Sequence, residues 1–284
     1  MPNRVKTMKM SPLTDSFGVR IEGVNLSQPL DEATFQGLRT LWMEHRVAVI
    51  SNQELDDDQL IKFTERFGPL FVHAQTSLLT TGNRKEVMEL SNLDGVSRPV
   101  DYELDWHTDQ TYTPQPVFGT ILYGIVAPQV GGQTLFSDLA GAYDNLPDEL
   151  RQQVEGATAV YSAEPRPQVR DTPLNEEEKA RILDCTHPLV RTHPYLKRKA
   201  VYLSPLHIKT IGALSEDDSL DLLQQLTIHA TSDTHIYRHT WSVGDLVMWD
   251  NTSVMHSRTP MPAGEKRYLK RTGFYLPDEL AVPF

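Results

Sequence analysis

A histidine and an aspartate two residues apart, in Trp106-His107-Thr108-Asp109, constrain this chain more than any other feature. The flanking runs read as β-strand, where residues i and i+2 point to one face. His107 and Asp109 can then offer an imidazole nitrogen and a carboxylate oxygen to one metal ion. A third ligand is needed, and His256 in Val254-Met255-His256 is the candidate, on the next strand or its entry. Asp109 and His256 stand about half the chain apart, so only a closed β-core brings them together. Taken alone, His-x-Asp also fits a strand histidine hydrogen-bonded to a neighbouring carboxylate. With ten histidines in the chain, some must be structural.

The rest of the sequence supplies such a core. Segments 17–21, 46–50, 86–91, 118–126, 133–136, 200–203, 236–242, 245–249 and 268–276 read as strands, with Gly131-Gly132 a turn. Asp31 caps a predicted helix running to His45, with Phe35, Leu38 and Trp42 on one face. Asp56 opens a second helix, carrying Leu60, Phe63 and Phe67, with Gly68 as its stop. Residues 144–156 are predicted helical. Ser215 begins another helix, with Asp218 as its capping-box partner. Residues 162–175, rich in Pro and Arg, read as a long loop. No repeat or linker divides the chain, so the expectation is one domain over residues 1–284. Its class is mainly β with flanking helices, a sandwich or jelly roll.

Charge and composition narrow the function. The formal charge of -11 argues against a nucleic-acid or anionic-membrane surface. A single cysteine, Cys185, excludes a disulfide framework and fits a reducing cytoplasm. The segment from Met1 to Met10 has no apolar stretch of the signal-peptide kind. Nothing approaches the ~18 apolar residues of a membrane span.

Two histidines and one carboxylate on one face leave three positions of an octahedron open, the arrangement of non-haem Fe(II) oxygenases. A 2-oxo acid can chelate through two of these, leaving one for dioxygen. Zinc hydrolysis needs the same ligands in a tetrahedron, and the ligand set alone does not exclude it. Arg267 and Arg271 form a second cluster in Lys266-Arg267-Tyr268-Leu269-Lys270-Arg271. On a strand they share a face, roughly 13 Å apart. That face mixes arginine with Leu269, and guanidiniums on an inner face are costly unless they meet anions. A solvated basic stripe with Lys266 and Lys270 is the plainer alternative.

With these residues in place, the sequence resembles the taurine dioxygenase and 2,4-dichlorophenoxyacetate dioxygenase family of Fe(II)/2-oxoglutarate oxygenases. The resemblance covers about residues 17–275. It rests on Trp106-His107-Thr108-Asp109, Gly131-Gly132-Gln133-Thr134, the run 188–194, the run 244–251, His256 and the two arginines. It implies a double-stranded β-helix (jelly-roll) core, with Fe(II), 2-oxoglutarate and O2 as cofactor and cosubstrates. His107, Asp109 and His256 match the iron ligands. Thr134 and Arg267 match the residues that hold the far carboxylate of 2-oxoglutarate. Arg271 matches the arginine near the iron-bound carboxylate that also reaches an anionic substrate.

The substrate positions are thinner. His73 matches a substrate histidine of the taurine branch. The tyrosine position holds Thr76 and the asparagine position holds Glu103, whose charge opposes a sulfonate. Tyr202 keeps one aromatic wall, while Ala163 leaves room at another. The expected reaction is oxidation of a C–H bond in a small to medium anionic acid other than taurine, with succinate and CO2 released. Oxidative cleavage by the same chemistry, a zinc hydrolase and a non-catalytic binding protein are the alternatives. A cytoplasmic enzyme is expected, and the family implies a dimer or tetramer. Arg191 and His193 read as structural braces. His207, His229, His235 and His239 show no partner pattern, and Arg166 and Arg170 read as solvated loop charges.

Overall fold

The computed structural model describes residues 8–72, 84–93, 104–163 and 184–277. Strands are numbered along the chain. The larger sheet contains β1 (Lys9–Pro12), β2 (Val19–Glu22), β3 (Val47–Ile50), β4 (Met88–Ser91), β6 (Gly119–Val126), β14 (Leu246–Asp250) and β16 (Tyr268–Phe274). Their order is β1-β2-β3-β14-β6-β16-β4. The smaller sheet, in the order β13-β7-β15-β5, is built from β5 (Leu104–His107), β7 (Thr134–Asp138), β13 (Ile236–His239) and β15 (Val254–Arg258). Nearly all pairings are antiparallel, with β2–β3 a parallel pair. Together the two sheets form the expected jelly-roll core with helices outside.

Side-chain alternation explains why both faces of the large sheet are apolar. Val47 and Val49 of β3, with Val247 and Trp249 of β14, point inward and meet Phe136 and Val254 of the small sheet. Ala48 and Ile50, with Leu246 and Met248, point outward. That outer face is covered by helices Glu32–His45 and Asp57–Glu65, which bring Trp42 and Leu60, and by Phe67 just beyond the second helix. The Trp42 ring lies 5.5 Å from Phe67 and Phe274 and 5.7 Å from Phe118, all edge-on. Truncating Trp42 to alanine removes this contact set and costs about 3–5 kcal/mol.

A third layer covers the far side of the small sheet. Helices Leu139–Asp144, Asp148–Val154 and Glu216–Ala230 pack there around Tyr161, Leu189, Tyr202 and Met255. With them lie a three-stranded sheet, β8 (Thr158–Tyr161), β9 (Cys185–Pro188) and β12 (Ile208–Ile211), and a hairpin, β10 (Val190–Thr192) and β11 (Lys199–Val201).

Capping signals locate the helix starts. Asp31 accepts from Thr34 N, Asp56 forms a reciprocal box with Gln59, and Ser215 accepts from Asp218 N. Two expectations are corrected. Residues 144–156 are not one helix. The first helix ends at Asp144, where Asn145 turns its side-chain amide back onto Gly141 O at 2.9 Å. Pro147 then starts the second, since it lacks the N–H needed to continue the first. Gly68 is not the helix stop either, because the helix ends at Glu65. A Cβ on Gly68 would lie 2.2 Å from Tyr275 O, so glycine there permits backbone contact. Most of the expected 162–175 loop lies outside the described residues.

Candidate active site

His107 ends β5 and His256 sits inside β15, directly opposite it in the antiparallel register. Their rings approach to 4.2 Å. Asp109 is not on the strand with His107, which corrects the same-face expectation. The chain leaves β5 after His107 and turns, with Gln110 at φ 55°. Thr108 anchors that departure: its hydroxyl donates to Leu203 O at 2.8 Å and its N–H to Ser204 Oγ at 3.1 Å. The turn still returns the carboxylate to the histidines. Asp109 Oδ1 lies 3.9 Å from His107 Nε2 and 3.8 Å from His256 Nε2. Among the described residues, these three form the one cluster whose donor atoms, all within 4.8 Å, could hold a metal ion.

Protonation suits that use. His107 Nδ1–H donates to Asp105 O at 2.8 Å, which leaves the Nε2 lone pair for a metal. Burial pushes both histidines below the usual imidazole range, so they are neutral at pH 7. Burial alone would raise the Asp109 carboxyl. The Arg271 guanidinium, the two imidazoles and the Thr120 hydroxyl outweigh it and hold the acid well below its usual range. Arg271 Nη2 is 2.8 Å from Asp109 Oδ1, and Thr120 Oγ donates to Oδ2 at 2.7 Å. The donor set is neutral imidazoles and an ionised carboxylate, which fits a divalent iron ion.

Arg267 lies one residue before β16 and Arg271 inside it, with Leu269 between them in the inner core. Arg267 is 5% exposed, its Nε has no hydrogen-bond partner, and it has no carboxylate partner among the described residues. Burial, then the charge of Arg258, pulls its pKa down to about 9. Arg258 shares a face with Thr134, its cross-strand partner. Trp241 Nε1–H donates to Thr134 Oγ at 3.0 Å, so the Thr134 hydroxyl keeps its own proton to donate. Gly132, at φ 61°, leaves the approach open: a Cβ there would meet Met261 Sδ and Pro128 Cγ at 3.0 Å and Arg267 Cδ at 3.4 Å. Trp241, whose ring lies 5.9 Å from the Arg267 guanidinium, links it to Thr134. A buried cation with no carboxylate partner among the described residues and a hydroxyl with a proton to donate fit the far carboxylate of 2-oxoglutarate.

His73 and Glu103 lie outside the described residues, as do Thr76, Arg166 and Arg170. Tyr202 is fully buried on the far side of the small sheet rather than presenting a plain apolar wall. Arg191 stacks on its ring at 3.8 Å, and its phenol oxygen has no hydrogen-bond partner among the described residues. Burial pushes that phenol up to about 12. His193 braces the interior, with Nε2 3.3 Å from Asp250 Oδ2.

Three residues come to this region without a local sequence signal. His207 packs 6.2 Å from the His107 ring and 5.0 Å from Tyr112, with Nδ1 2.9 Å from Ser204 Oγ. Burial, then the His107 charge, takes its pKa down to about 3. Thr120 and Arg258 are the other two. Thr120 lies in an apolar strand, and Arg258 two residues beyond a ligand, so only strand register reveals them.

Comparison with known proteins gives a consistent result. The family model described as taurine catabolism dioxygenase TauD, TfdA family, matches residues 9–272. A (S)-phenoxypropionate/alpha-ketoglutarate-dioxygenase of Sphingobium herbicidovorans is 33% identical over 272 residues, covering 92% of each chain. An alpha-ketoglutarate-dependent 2,4-dichlorophenoxyacetate dioxygenase of Cupriavidus pinatubonensis is 32% identical over 278 residues, covering 92% of this chain and 95% of that protein. The crystal structure of AAD-2 with Mn(II) and N-oxalylglycine matches at a TM-score of 0.82 and 29% identity, covering 96% of this chain and 98% of that one.

Proposed function

The chain belongs to the taurine catabolism dioxygenase TauD, TfdA family, and from that premise we propose that His107, Asp109 and His256 hold iron for the oxidation of a small to medium organic anion. The enzyme is a non-haem Fe(II)- and 2-oxoglutarate-dependent dioxygenase acting on small-molecule anions. Bound at this site, iron and 2-oxoglutarate supply the activation of dioxygen, with succinate and CO2 released.

The chain's own residues bind and orient. His107 Nε2, Asp109 Oδ1 and His256 Nε2 are the proposed ligand atoms. Arg267 and Thr134 hold the far carboxylate of 2-oxoglutarate. Arg271 steadies the near carboxylate and anchors the acid group of the substrate. Arg271 and Tyr202 are the described members of the proposed substrate set, which also includes His73 and Glu103; with Tyr202 fully buried in the core, Arg271 carries the contact to substrate. The single observation that carries the anion reading is Arg271 Nη2, 2.8 Å from a proposed ligand oxygen. A chain of net charge -11 does not steer anions by its overall field, so a local cation must recruit them.

Both relatives are named for carboxylic acids, which supports a carboxylic acid here. Hydroxylation at carbon is the first outcome. Where that carbon bears a heteroatom, the product breaks down and the net result is oxidative cleavage. The remaining expectations, one domain, a cytoplasmic enzyme and a dimer or tetramer, belong to the same reading. No helix of the described residues is long and apolar enough to cross a membrane.

Succinate release tests the proposal. Protein, Fe(II) and 2-oxoglutarate are assayed with carboxylic, sulfonic and phosphonic acids and with their matched esters or amides. Coupled turnover of acids alone is expected. Equal turnover of the neutral partners removes the anion anchor, and no succinate with any acid removes the panel's substrate classes.

A further inference from the structure

Asp109 Oδ2 ends a chain of buried hydrogen bonds whose direction is set from the far end. An indole N–H can only donate, and Trp249 Nε1 lies 3.0 Å from Asn251 Oδ1. The Asn251 amide is therefore fixed, with its oxygen toward Trp249. The Asp109 N–H supports the same setting, donating to Asn251 Oδ1 at 3.4 Å. Asn251 Nδ2 then donates to Thr120 Oγ at 2.9 Å. Because Thr120 Oγ accepts there, its own hydrogen is left for Asp109 Oδ2, 2.7 Å away. Asp109, Thr120, Trp249 and Asn251 are all buried, so bulk water does not substitute in the chain.

The frame behind these contacts is rigid. Thr120 and Trp249 are cross-strand partners of β6 and β14, in the middle of the large sheet. The Trp249 ring also packs 4.6 Å from His256. One indole thus braces one proposed ligand and directs the hydrogen bond onto another. The two oxygens of Asp109 become unequal: Oδ2 faces Thr120, while Oδ1 faces both imidazole Nε2 atoms.

We propose that Thr120 is a positioning residue that holds Asp109 as a one-oxygen metal ligand, with Trp249 and Asn251 fixing the direction of its hydrogen bond. A carboxylate that turned both oxygens to the metal would occupy a second coordination position. Restricting it to Oδ1 keeps three of six positions open, as many as a chelating 2-oxo acid and dioxygen require. The inference rests on the iron site proposed above.

The test is Mn(II) binding by titration calorimetry on the metal-free full chain, followed by N-oxalylglycine binding to the Mn(II) form. Thr120→Val keeps the shape and removes the hydroxyl. Its Mn(II) affinity is expected to fall about 10–100-fold, and its N-oxalylglycine affinity to fall with it. Thr120→Ser restores a hydroxyl and is expected to bind Mn(II) nearly as the parent does. Trp249→Phe keeps a ring but frees the Asn251 amide, so an intermediate loss is expected. Parent-like Mn(II) affinity in Thr120→Val overturns the proposal. So does an equal loss in Thr120→Ser, which would make shape rather than the hydroxyl responsible. If Thr120→Val does not fold, parent-like Mn(II) affinity in Trp249→Phe overturns it instead. A parent that binds no Mn(II) overturns the iron site itself, which separates the two failures.

Discussion

Arg271 and Asp109 meet at 2.8 Å through Nη2 and Oδ1, the same oxygen that faces Nε2 of both His107 and His256. The guanidinium is thus both the counter-charge of a proposed metal ligand and the cation available to an incoming acid. A metal ion held by Asp109 Oδ1 would compete with Arg271 for that oxygen and so free guanidinium donors for an anion.

Arg271→Ala should therefore separate acids from neutral analogues. A hydrogen bond to a charged group contributes about 1.5–3 kcal/mol, so the KM for an acid substrate should rise roughly 10–150-fold. A matched amide should be affected far less. Initial rates of succinate release for each pair measure this. Equal losses for acid and amide would show that Arg271 acts on the near carboxylate of 2-oxoglutarate or on Asp109 alone.

Asp109→Ala removes a charged donor from the proposed triad. Succinate formation should be abolished, and Mn(II) affinity should fall at the same time. Calorimetry and the succinate assay read the two separately. A variant that still binds Mn(II) as the parent does would move the metal away from Asp109.

Arg267 leads to a different expectation. Its Nε is buried without a hydrogen-bond partner among the described residues, and the Arg258 charge adds to the cost of keeping it ionised. An anion relieves both penalties, so 2-oxoglutarate should raise the melting temperature of the Mn(II)-loaded protein. Arg267→Lys keeps the charge but loses the planar fork. The thermal shift should shrink and the KM for 2-oxoglutarate should rise about tenfold. An unchanged KM would place the far carboxylate elsewhere.

The sequence exposed the parts of this site that carry local signatures. His107 and Asp109 are two residues apart, and His256 follows an apolar strand, so pattern alone nominated them. Asp31, Asp56 and Ser215 were legible as helix starts because a cap depends on residues three positions away. The residues that escaped depend on register instead. Thr120 sits in an apolar strand, and only its pairing with Trp249 turns it toward Asp109. Arg258 reaches the Thr134 face through the β7–β15 register. His207 arrives beside His107 because Ser204 ties its loop to the backbone of Thr108. The geometry of Asp109 escapes strand periodicity for a related reason: the alternation ends with β5 at His107, where Thr108 pulls the chain out of the sheet.

Acid sensitivity should have an origin away from the proposed metal site, in His187. Its Nε2–H donates to Thr113 O at 2.9 Å, and its Nδ1 accepts from Arg191 Nη2 at 3.0 Å. Both nitrogens are thus committed to the neutral ring. Burial, then the Arg191 charge, pushes the pKa from 6.5 to about 4. The unfolded chain binds this proton more readily than the folded one, so the contribution is complete above the unfolded pKa. It falls as pH drops through the window from 6.5 to about 4 and is gone below it. The size is on the order of 2–3 kcal/mol, allowing for partial solvation. His187→Gln keeps a donor for Thr113 and an acceptor for Arg191 but does not titrate. Buried carboxylates such as Asp250 titrate in parent and variant alike, so the difference between the two isolates His187. In urea unfolding, the parent should lose about 2–3 kcal/mol more than His187→Gln between neutral pH and the lower end of the window. A difference between the two proteins that stays constant with pH would show that the ring is not held neutral.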